Sequence, residues 1–365
     1  MPPRWERDKL LFLEMRSSEN PARDLAVTLA GGGNRAFYQL GLLDPWWRDL
    51  GPRVGSMAAC SAGACTALLL LTGRADPTFR FWHQRRAHVR KNFEWWRLAR
   101  GDRPAPHFPV YRDTLHFALA EGGFERLQAV PFPLWVLVAV PPHGLPIPLA
   151  VPIGMGAYSL ERWLNPGRLH PGIGRRLGFE PRAFDIRRCA TIDEVVSIVL
   201  ASSATPPFTP VGFLGGQAVL DGGLVDNAPA FVAEQTSGIR RHLVVLTRPY
   251  PAESVGHRNG RWYLCPSRPV PADRWDYTRP ERIAATIALE HYTAMMAHEF
   301  LANPKHFKDA EPDTAAMWRW HAIEEIEHKG VAYDTWLHAT RDWTTWRRWK
   351  RVRSATNMVR FRAFS

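Results

Sequence analysis

The stretch Leu25-Ala-Val-Thr-Leu-Ala-Gly-Gly-Gly-Asn-Arg35 decides the fold class. Its first six residues are apolar or small, and Gly31, Gly32 and Gly33 follow at once. A short apolar run that ends in glycines is typical of a buried parallel strand that leads into a loop. We expect a helix over about residues 36–43 after this loop, so that the segment forms a strand, a loop and a helix in that order.

A second unit of the same kind follows in the chain. Residues 56–60 predict a short strand of small residues, Ser61 stands at the turn, and residues 62–71 predict an apolar helix that ends at Gly73. The repeated order of strand and helix indicates an α/β layer fold with a parallel sheet. Apolar runs predict further strands, and a capping box predicts one more helix; these segments are residues 134–140, 218–220 and 243–247 for the strands and 191–201 for the helix.

Two segments do not follow this pattern. The longest apolar stretch, residues 129–154, contains seven prolines, which exclude a membrane-spanning helix. We predict two strands there, joined by a proline-rich connection. Residues 78–119 are rich in arginine, histidine and aromatic residues and have no strand pattern, so we predict an insertion or a lid in that region.

The composition is that of a globular protein large enough to bury a core, with 365 residues and 45% hydrophobic content. It excludes a disordered chain, a collagen and a disulfide scaffold. Lys and Arg outnumber Asp and Glu by 47 to 35. The resulting formal charge of +12 favours anionic partners such as phospholipid headgroups, acyl-CoA or nucleic acid.

Location and domain organisation are also predicted from the sequence. The four cysteines have no Cys-x-x-Cys spacing, and the charged first ten residues lack the apolar core of a secretory signal. We therefore expect reduced thiols in a cytoplasmic protein. Proline-rich segments give way to long helical patterns near residue 280, so we predict an N-terminal extension over 1–24, an α/β domain over 25–280 and a helical tail over 281–365.

Three loops carry residues suited to chemistry. The first is the glycine loop, where Gly31, Gly32 and Gly33 offer unhindered amides at the start of a helix, next to Arg35. Amides at a helix N-terminus stabilise negative charge, which suits a phosphate or an oxyanion. The loop lacks the Lys-Ser or Lys-Thr of a P-loop. The alternative is a tight turn between strand and helix with no ligand.

The second loop is Ala59-Cys-Ser-Ala-Gly63, with Ser61 between small residues at a sharp strand-to-helix turn. This is the context of a nucleophile elbow, whose usual form is G-x-S-x-G. Ala59 stands where that motif has its first glycine, and alanine tolerates a positive φ poorly. The alternative is that Ser61 only caps the helix that follows.

The third loop is Asp221-Gly222-Gly223, in which a predicted strand delivers an aspartate to a glycine turn. An aspartate at this position is well placed to act as a base. The alternative is an Asx turn, which Asp-Gly-Gly commonly forms.

Together these three loops, in this order and spacing, resemble the patatin-like phospholipases over roughly residues 25–280. The resemblance implies a three-layer sandwich with a mostly parallel central sheet. It implies that Ser61 is the nucleophile and Asp221 its base, and that Gly31 to Gly33 form the oxyanion hole with support from Arg35. Gly63, Gly222 and Gly223 then belong to the elbow and the aspartate turn.

The resemblance further implies a serine lipid acyl hydrolase of the phospholipase or esterase type, which works through an acyl-enzyme and requires no cofactor. Its substrate is a lipid or another acyl ester. Three alternatives remain: an acyltransferase on the same dyad, a non-catalytic lipid-binding protein, and a metal-dependent activity of the tail. A Ser-His-Asp triad is the alternative mechanism, although none of the 14 histidines stands in a comparably marked loop.

The tail carries a second resemblance. The run Trp318-Arg-Trp-His-Ala-Ile-Glu-Glu-Ile-Glu-His-Lys329 is similar to half of a ferritin-like family of predicted metal-dependent hydrolases. Its Glu-x-x-His pair, Glu325 and His328, together with Glu290, provides candidate ligands for iron or zinc. The alternative is a structural remnant without metal. Half of a helical bundle with an exposed apolar stripe also predicts a homodimer through the tail.

The end of the tail is basic and rich in tryptophan. Residues 341–363 hold eight basic residues and one acidic residue, and tryptophans recur close to helical spacing from Trp336 to Trp349. A helix of this kind lies in a membrane interface, so residues 336–363 predict peripheral membrane contact. The alternative is that the tryptophans pack within the tail. Nucleic-acid binding is not expected, because no reader motif is present.

Overall fold

The computed structural model describes residues 23–87, 89–266, 269–270, 277 and scattered positions between 301 and 349. The chain divides into two compact units, Met1–Asp276 and Tyr277–Ser365. The sheet and the helices that surround it belong to the first unit. The predicted division into residues 1–24, 25–280 and 281–365 stays a prediction.

A nine-stranded sheet forms the centre of this unit, in the order β5-β6-β3-β2-β1-β7-β9-β8, with β4 paired to β3 outside that path. The strands are β1 (Leu25–Leu29), β2 (Val54–Cys60), β3 (Leu134–Val140), β4 (Glu180–Asp185), β5 (Gly212–Leu214), β6 (Gln217–Asp221), β7 (Arg241–Val245), β8 (Gly256–Arg258) and β9 (Arg261–Leu264). The pairs β3-β2, β2-β1, β1-β7 and β7-β9 are parallel. The remaining pairs, at and beyond β3 and at the β8 edge, are antiparallel.

Helices cover both faces of the sheet. They are α1 (Phe37–Leu43), α2 (Trp47–Leu50), α3 (Ala62–Thr72), α4 (Ala75–Arg86), α5 (His107–Leu119), α6 (Gly123–Gln128), α7 (Ile147–Leu164), α8 (Ile173–Arg176), α9 (Ile192–Ser202) and α10 (Ala230–Ala233). Successive side chains of a strand point to opposite faces. Val27 and Leu29 of β1 therefore join one buried cluster with α1, α3, α5, α6 and α9, and Ala26 joins another with α7 and α10.

The predicted α/β class with a mostly parallel sheet is confirmed. The strand at residues 134–140 has the predicted bounds, β1 ends one residue early, and β2 begins two residues early. The capping box is also present, since Thr191 Oγ1 accepts a hydrogen bond from the Glu194 amide at 3.2 Å. The sequence did not predict β4, β5, β8 or β9. Residues 78–119 form most of α4, all of α5 and the loop that joins them.

The prediction of two strands over residues 129–154 is wrong in its second half. Residues from Ile147 onward form α7, whose buried side faces the sheet through Ala150, Gly154 and Tyr158 at four-residue spacing. Pro148 lies in the first turn, where its missing N–H removes no helical hydrogen bond, and only Pro152 interrupts the interior. No described helix is both long and apolar enough to cross a membrane.

Candidate active site

Ser61 stands at the junction of β2 and α3, with backbone angles φ 54° and ψ −133°. A positive φ is strained for any residue with a side chain, so the surrounding structure must hold it. The Ser61 amide donates to Ser202 Oγ at 2.8 Å, and Ser202 Oγ donates to the Leu137 carbonyl at 2.6 Å. The positive φ falls on Ser61 and not on Ala59, which lies in β2 opposite Leu29.

Gly63 allows α3 to begin against the end of β1. A Cβ at this position would lie 2.5 Å from the Leu29 carbonyl oxygen and 2.8 Å from that of Ala30. Both atoms are backbone, so a side chain here would push the helix away from the strand. The glycine therefore brings the serine turn close to the loop that follows β1.

Asp221 ends β6 and is buried, with 6% of its surface exposed. Ser61 Oγ donates a hydrogen bond to Asp221 Oδ2 at 2.8 Å. The other carboxylate oxygen, Oδ1, accepts from the Gly223 amide at 2.7 Å and from the Cys60 thiol at 3.8 Å. The Asx turn and the contact with the serine thus occur together. No described histidine hydrogen-bonds to Ser61 Oγ.

The sheet and the glycine turn fix the position of Asp221. Asp221 lies opposite Val138 in the antiparallel pair of β3 and β6, and its amide donates to the Ala204 carbonyl at 3.0 Å. A Cβ on Gly222 would lie 2.2 Å from the Leu137 carbonyl oxygen. Only glycine allows the turn to pass this close to β3, and this brings the carboxylate beside β2.

Gly31 follows β1 and uses both of its backbone polar groups within the fold. Its amide donates to the Asn227 carbonyl at 3.0 Å. Its carbonyl accepts from Asn227 Nδ2 at 3.1 Å and from Thr247 Oγ1 at 2.8 Å. A Cβ on Gly31 would lie 3.0 Å from Ser61 Cβ, so this glycine lies directly beside the serine.

Gly32 and Gly33 form the start of the short 3-10 turn Gly33–Ala36 that leads into α1. No described residue accepts a hydrogen bond from either amide. The Gly32 carbonyl accepts from Arg35 Nε at 3.3 Å, and a Cβ on Gly32 would lie 2.3 Å from Thr247 Oγ1. The amides of Gly32 and Gly33 therefore have no hydrogen-bond acceptor among the described residues, whereas the neighbouring Gly31 amide donates to Asn227.

The turn after Asp221 is held by a polar network that the sequence did not predict. Asp226 is buried and accepts from the Ala228 amide at 3.0 Å. His170 Nδ1 lies 3.1 Å from both Asp226 carboxylate oxygens, and its Nε2 lies 2.8 Å from the Tyr263 hydroxyl. Asn227 stands between these contacts and the glycine loop. In the sequence, only the position of Asn227 six residues after Asp221 could have indicated that it belongs to the site.

The predicted metal ligands Glu290, Glu325 and His328 lie outside the described residues. Within the described part of the chain, no three His, Cys, Asp or Glu side chains come together as a metal site would require. Most of residues 336–363 also lie outside it. Two tryptophans of this segment are among the described residues that are exposed, Trp346 and Trp349, and their ring centroids lie 4.9 Å apart.

The first unit is thus an α/β protein with a glycine loop after the first strand, a serine elbow after the second and an aspartate that accepts a hydrogen bond from the serine. The model of the patatin-like phospholipase family matches residues 27–234, more than half of the chain. The chain belongs to this family, and the membership supports a hydrolase of acyl lipids. A model of a family described as predicted metal-dependent hydrolases matches residues 262–364. This match is longer than the segment from Glu290 to Lys329 on which the sequence resemblance rested. A comparison with the curated proteins finds no match.

Proposed function

We propose that this protein is a serine lipid acyl hydrolase, of the phospholipase or esterase type, that uses a dyad of Ser61 and Asp221. The observation that carries the proposal is the direct hydrogen bond of 2.8 Å from Ser61 Oγ to Asp221 Oδ2. A serine needs a base within hydrogen-bond reach to become a nucleophile. Asp221 meets this requirement without a histidine.

In the first step, Ser61 Oγ attacks the carbonyl carbon of the ester while Asp221 Oδ2 takes the serine proton. The Gly223 amide holds Oδ1 at 2.7 Å, which keeps Oδ2 directed at the serine. The new C–O bond converts the carbonyl oxygen into an oxyanion. The alcohol then leaves with the proton from Asp221, and the acyl group remains on Ser61.

The amides of Gly32 and Gly33 hold the oxyanion in this proposal. Gly31 does not donate to the oxyanion, because its amide already donates to the Asn227 carbonyl, and this bond holds the glycine loop in place. Arg35 supports the loop through its contact with the Gly32 carbonyl. Each oxyanion donor of this kind contributes about 3 kcal/mol to transition-state stabilisation. The family resemblance implied an oxyanion hole of Gly31, Gly32 and Gly33, and this proposal uses the amides of the last two.

In the second step, water attacks the acyl carbon while Asp221 takes a proton from it. Asp221 then returns this proton to Ser61 Oγ as the acyl–serine bond breaks, which releases the acid and restores the dyad. An alcohol could enter the same acyl-enzyme in place of water, which is the acyltransferase alternative. Adding an alcohol acceptor to the reaction and measuring the ester product separates the two. The requirement for Ser61 and Asp221 is the same in both.

The test is hydrolysis of phosphatidylcholine and of p-nitrophenyl butyrate by purified variants. We expect Ser61→Ala and Asp221→Asn each to lose at least about 1,000-fold in kcat, since the dyad acts as a unit. The exposed Ser159 and Asp193 provide matched controls, and their variants Ser159→Ala and Asp193→Asn keep parent rates. Parent activity in Ser61→Ala would exclude the dyad. A folded parent that binds lipid and hydrolyses neither ester would favour the non-catalytic alternative.

A metal-dependent activity of the tail is the second candidate function, and the match to residues 262–364 favours it. Glutamate and histidine side chains are the ligand types that iron and zinc take in carboxylate sites. Protein expressed in medium with added iron or zinc should then retain metal through gel filtration. Glu325→Ala and His328→Ala should lose it. Parent protein without retained metal would exclude this function.

Two proposals concern partners of the tail. The first is that residues 336–363 contact an anionic membrane surface, which the net charge of +12 and the tryptophan spacing support. The second is that the tail forms a homodimer. Light scattering on the full chain distinguishes a dimer from a monomer. The expected cytoplasmic location stays a prediction.

A further inference from the structure

We propose that residues 89–103, which we name the Trp95 loop, form a docking surface for an anionic lipid membrane at the mouth of the active site. This inference rests on the proposed function, because it concerns how an enzyme of this site reaches an aggregated substrate. It concerns residues of the α/β unit and not those of the tail.

The position of the loop follows from the course of the chain. Helix α3 begins directly after Ser61. Trp82, near the end of α4, contacts Phe37, the first residue of α1 after the glycine loop, with ring centroids 5.3 Å apart. Arg74 precedes α4 and pairs with Glu121, just after α5, at 2.6 Å, so α4 and α5 run in opposite directions. The loop that joins them therefore lies at the edge where Ser61 stands.

Ring contacts link the Trp95 loop to the site. Phe93 and Phe208 lie edge to face with centroids 4.7 Å apart. Phe208 belongs to the segment that contains Ala204, whose carbonyl accepts from the Asp221 amide. The Trp95 ring in turn stacks on Phe93 at 5.4 Å. A membrane that contacts Trp95 is thus two side chains away from the segment that binds Asp221.

The loop presents apolar side chains to solvent. Trp95 is 64% exposed, Trp96 55% and Leu98 54%. Exposing such side chains costs free energy unless a partner covers them. Tryptophan is the residue most suited to the boundary between water and lipid, because its ring is apolar and its N–H is polar.

Basic residues surround these apolar side chains. The loop contains five basic residues and two acidic ones, and four of the basic residues are exposed: Arg90, Lys91, Arg100 and Arg103. The guanidinium of Arg100 lies 4.8 Å from the centre of the Trp96 ring. This composition complements the negative charge of phospholipid headgroups, and each Lys or Arg at such a surface strengthens binding about fivefold.

The loop is also held in shape by its own backbone. The Glu94 amide donates to the Pro104 carbonyl at 2.9 Å and closes the segment. Within it, the Asp102 amide donates to the Arg97 carbonyl at 3.1 Å, and Arg97 lies near both acidic residues of the loop. Arg97 thus lies between the two acidic residues, whereas the other four basic residues of the loop are exposed. Such a fixed arrangement lowers the entropy cost of docking.

The test is co-sedimentation of the full chain with large vesicles, in the Ser61→Ala background so that hydrolysis does not alter them. Vesicles contain either phosphatidylcholine alone or phosphatidylcholine with phosphatidylglycerol. We expect Trp95→Ala/Trp96→Ala to weaken binding to the anionic vesicles by at least about tenfold, because two large apolar side chains no longer insert. Arg100→Glu/Arg103→Glu should weaken it by at least about 25-fold at low salt.

The matched control is Trp163→Ala, which removes a tryptophan from α7 that is 78% exposed, more than either loop tryptophan, and it should bind like its parent. Equal binding by the loop variants and their parent would overturn the proposal, and so would an equal loss in Trp163→Ala. Binding is read without turnover, so a failed dyad does not affect this result. With Ser61 intact, the loop variants should keep parent rates on p-nitrophenyl butyrate and lose activity on anionic vesicles.

Discussion

Replacing Gly63 by alanine tests whether the close approach of α3 to β1 is what positions the serine. The new Cβ would lie 2.5 Å from the Leu29 carbonyl oxygen, whereas an ordinary contact needs about 3.4 Å. Helix and strand must therefore separate by about 0.9 Å. Overpacking of this kind costs about 1–3 kcal/mol, or a melting temperature lower by about 5 °C.

The same displacement moves Ser61 relative to the glycine loop. A misplacement of about 1 Å at reacting groups costs on the order of 100-fold in rate, so we expect kcat/KM for p-nitrophenyl butyrate to fall by about that factor. The control is Gly41→Ala, an exposed position in α1 where the new Cβ meets no atom within 4 Å. It should keep parent activity and gain up to about 1 kcal/mol, because alanine favours a helix over glycine.

The assays are thermal unfolding followed by circular dichroism and steady-state ester hydrolysis. Parent activity and parent melting temperature in Gly63→Ala would refute the reasoning. Equal losses in Gly41→Ala would refute it as well, since the effect would then not arise from the contact with β1.

Three further predictions concern other groups. Asn227→Ala should lower kcat by about tenfold at an almost unchanged KM, because Gly31 loses the side-chain bond at 3.1 Å; an unchanged kcat would contradict this. Burial lowers the pKa of His242 from 6.5, so the unfolded chain binds more protons and the melting temperature falls as the pH drops below 6.5. This fall should be shallower in His242→Gln, and parallel curves would contradict it. Cys60, Cys65 and Cys189 are buried, and burial raises the pKa of Cys65 to about 12, so a thiol reagent should label only Cys265 in the native protein and all four cysteines in denaturant; native labelling of a second cysteine would contradict this.

The centre of the sheet could be predicted because β1 and β2 are short apolar runs that end in a glycine loop and a serine loop, and β3 is a short apolar run that ends at Pro141. Such patterns are local, and each of these strands carries its own without help from the rest of the chain. The contact between Ser61 and Asp221 agrees with the geometry that the family resemblance implies. Their catalytic roles stay predictions.

What the sequence did not predict depends on contacts between distant segments. Helix α7 contains Pro152 in its interior, which lowers its helix propensity, and its burial against Phe179 and Leu224 offsets that loss. Asn227 belongs to the site because it hydrogen-bonds to both the amide and the carbonyl of Gly31, which is 196 residues away in the chain. No local pattern marks such a pair.

Labelling with a fluorophosphonate probe tests the central claim most directly, because the probe reacts only with an activated serine. The full-length parent should gain one adduct by intact mass, and the adduct should map to the peptide that contains Ser61. Ser61→Ala should gain none, and Asp221→Asn should react at least about 100-fold more slowly, since the base is lost. An adduct on another serine, or equal labelling of Ser61→Ala and the parent, would contradict the account.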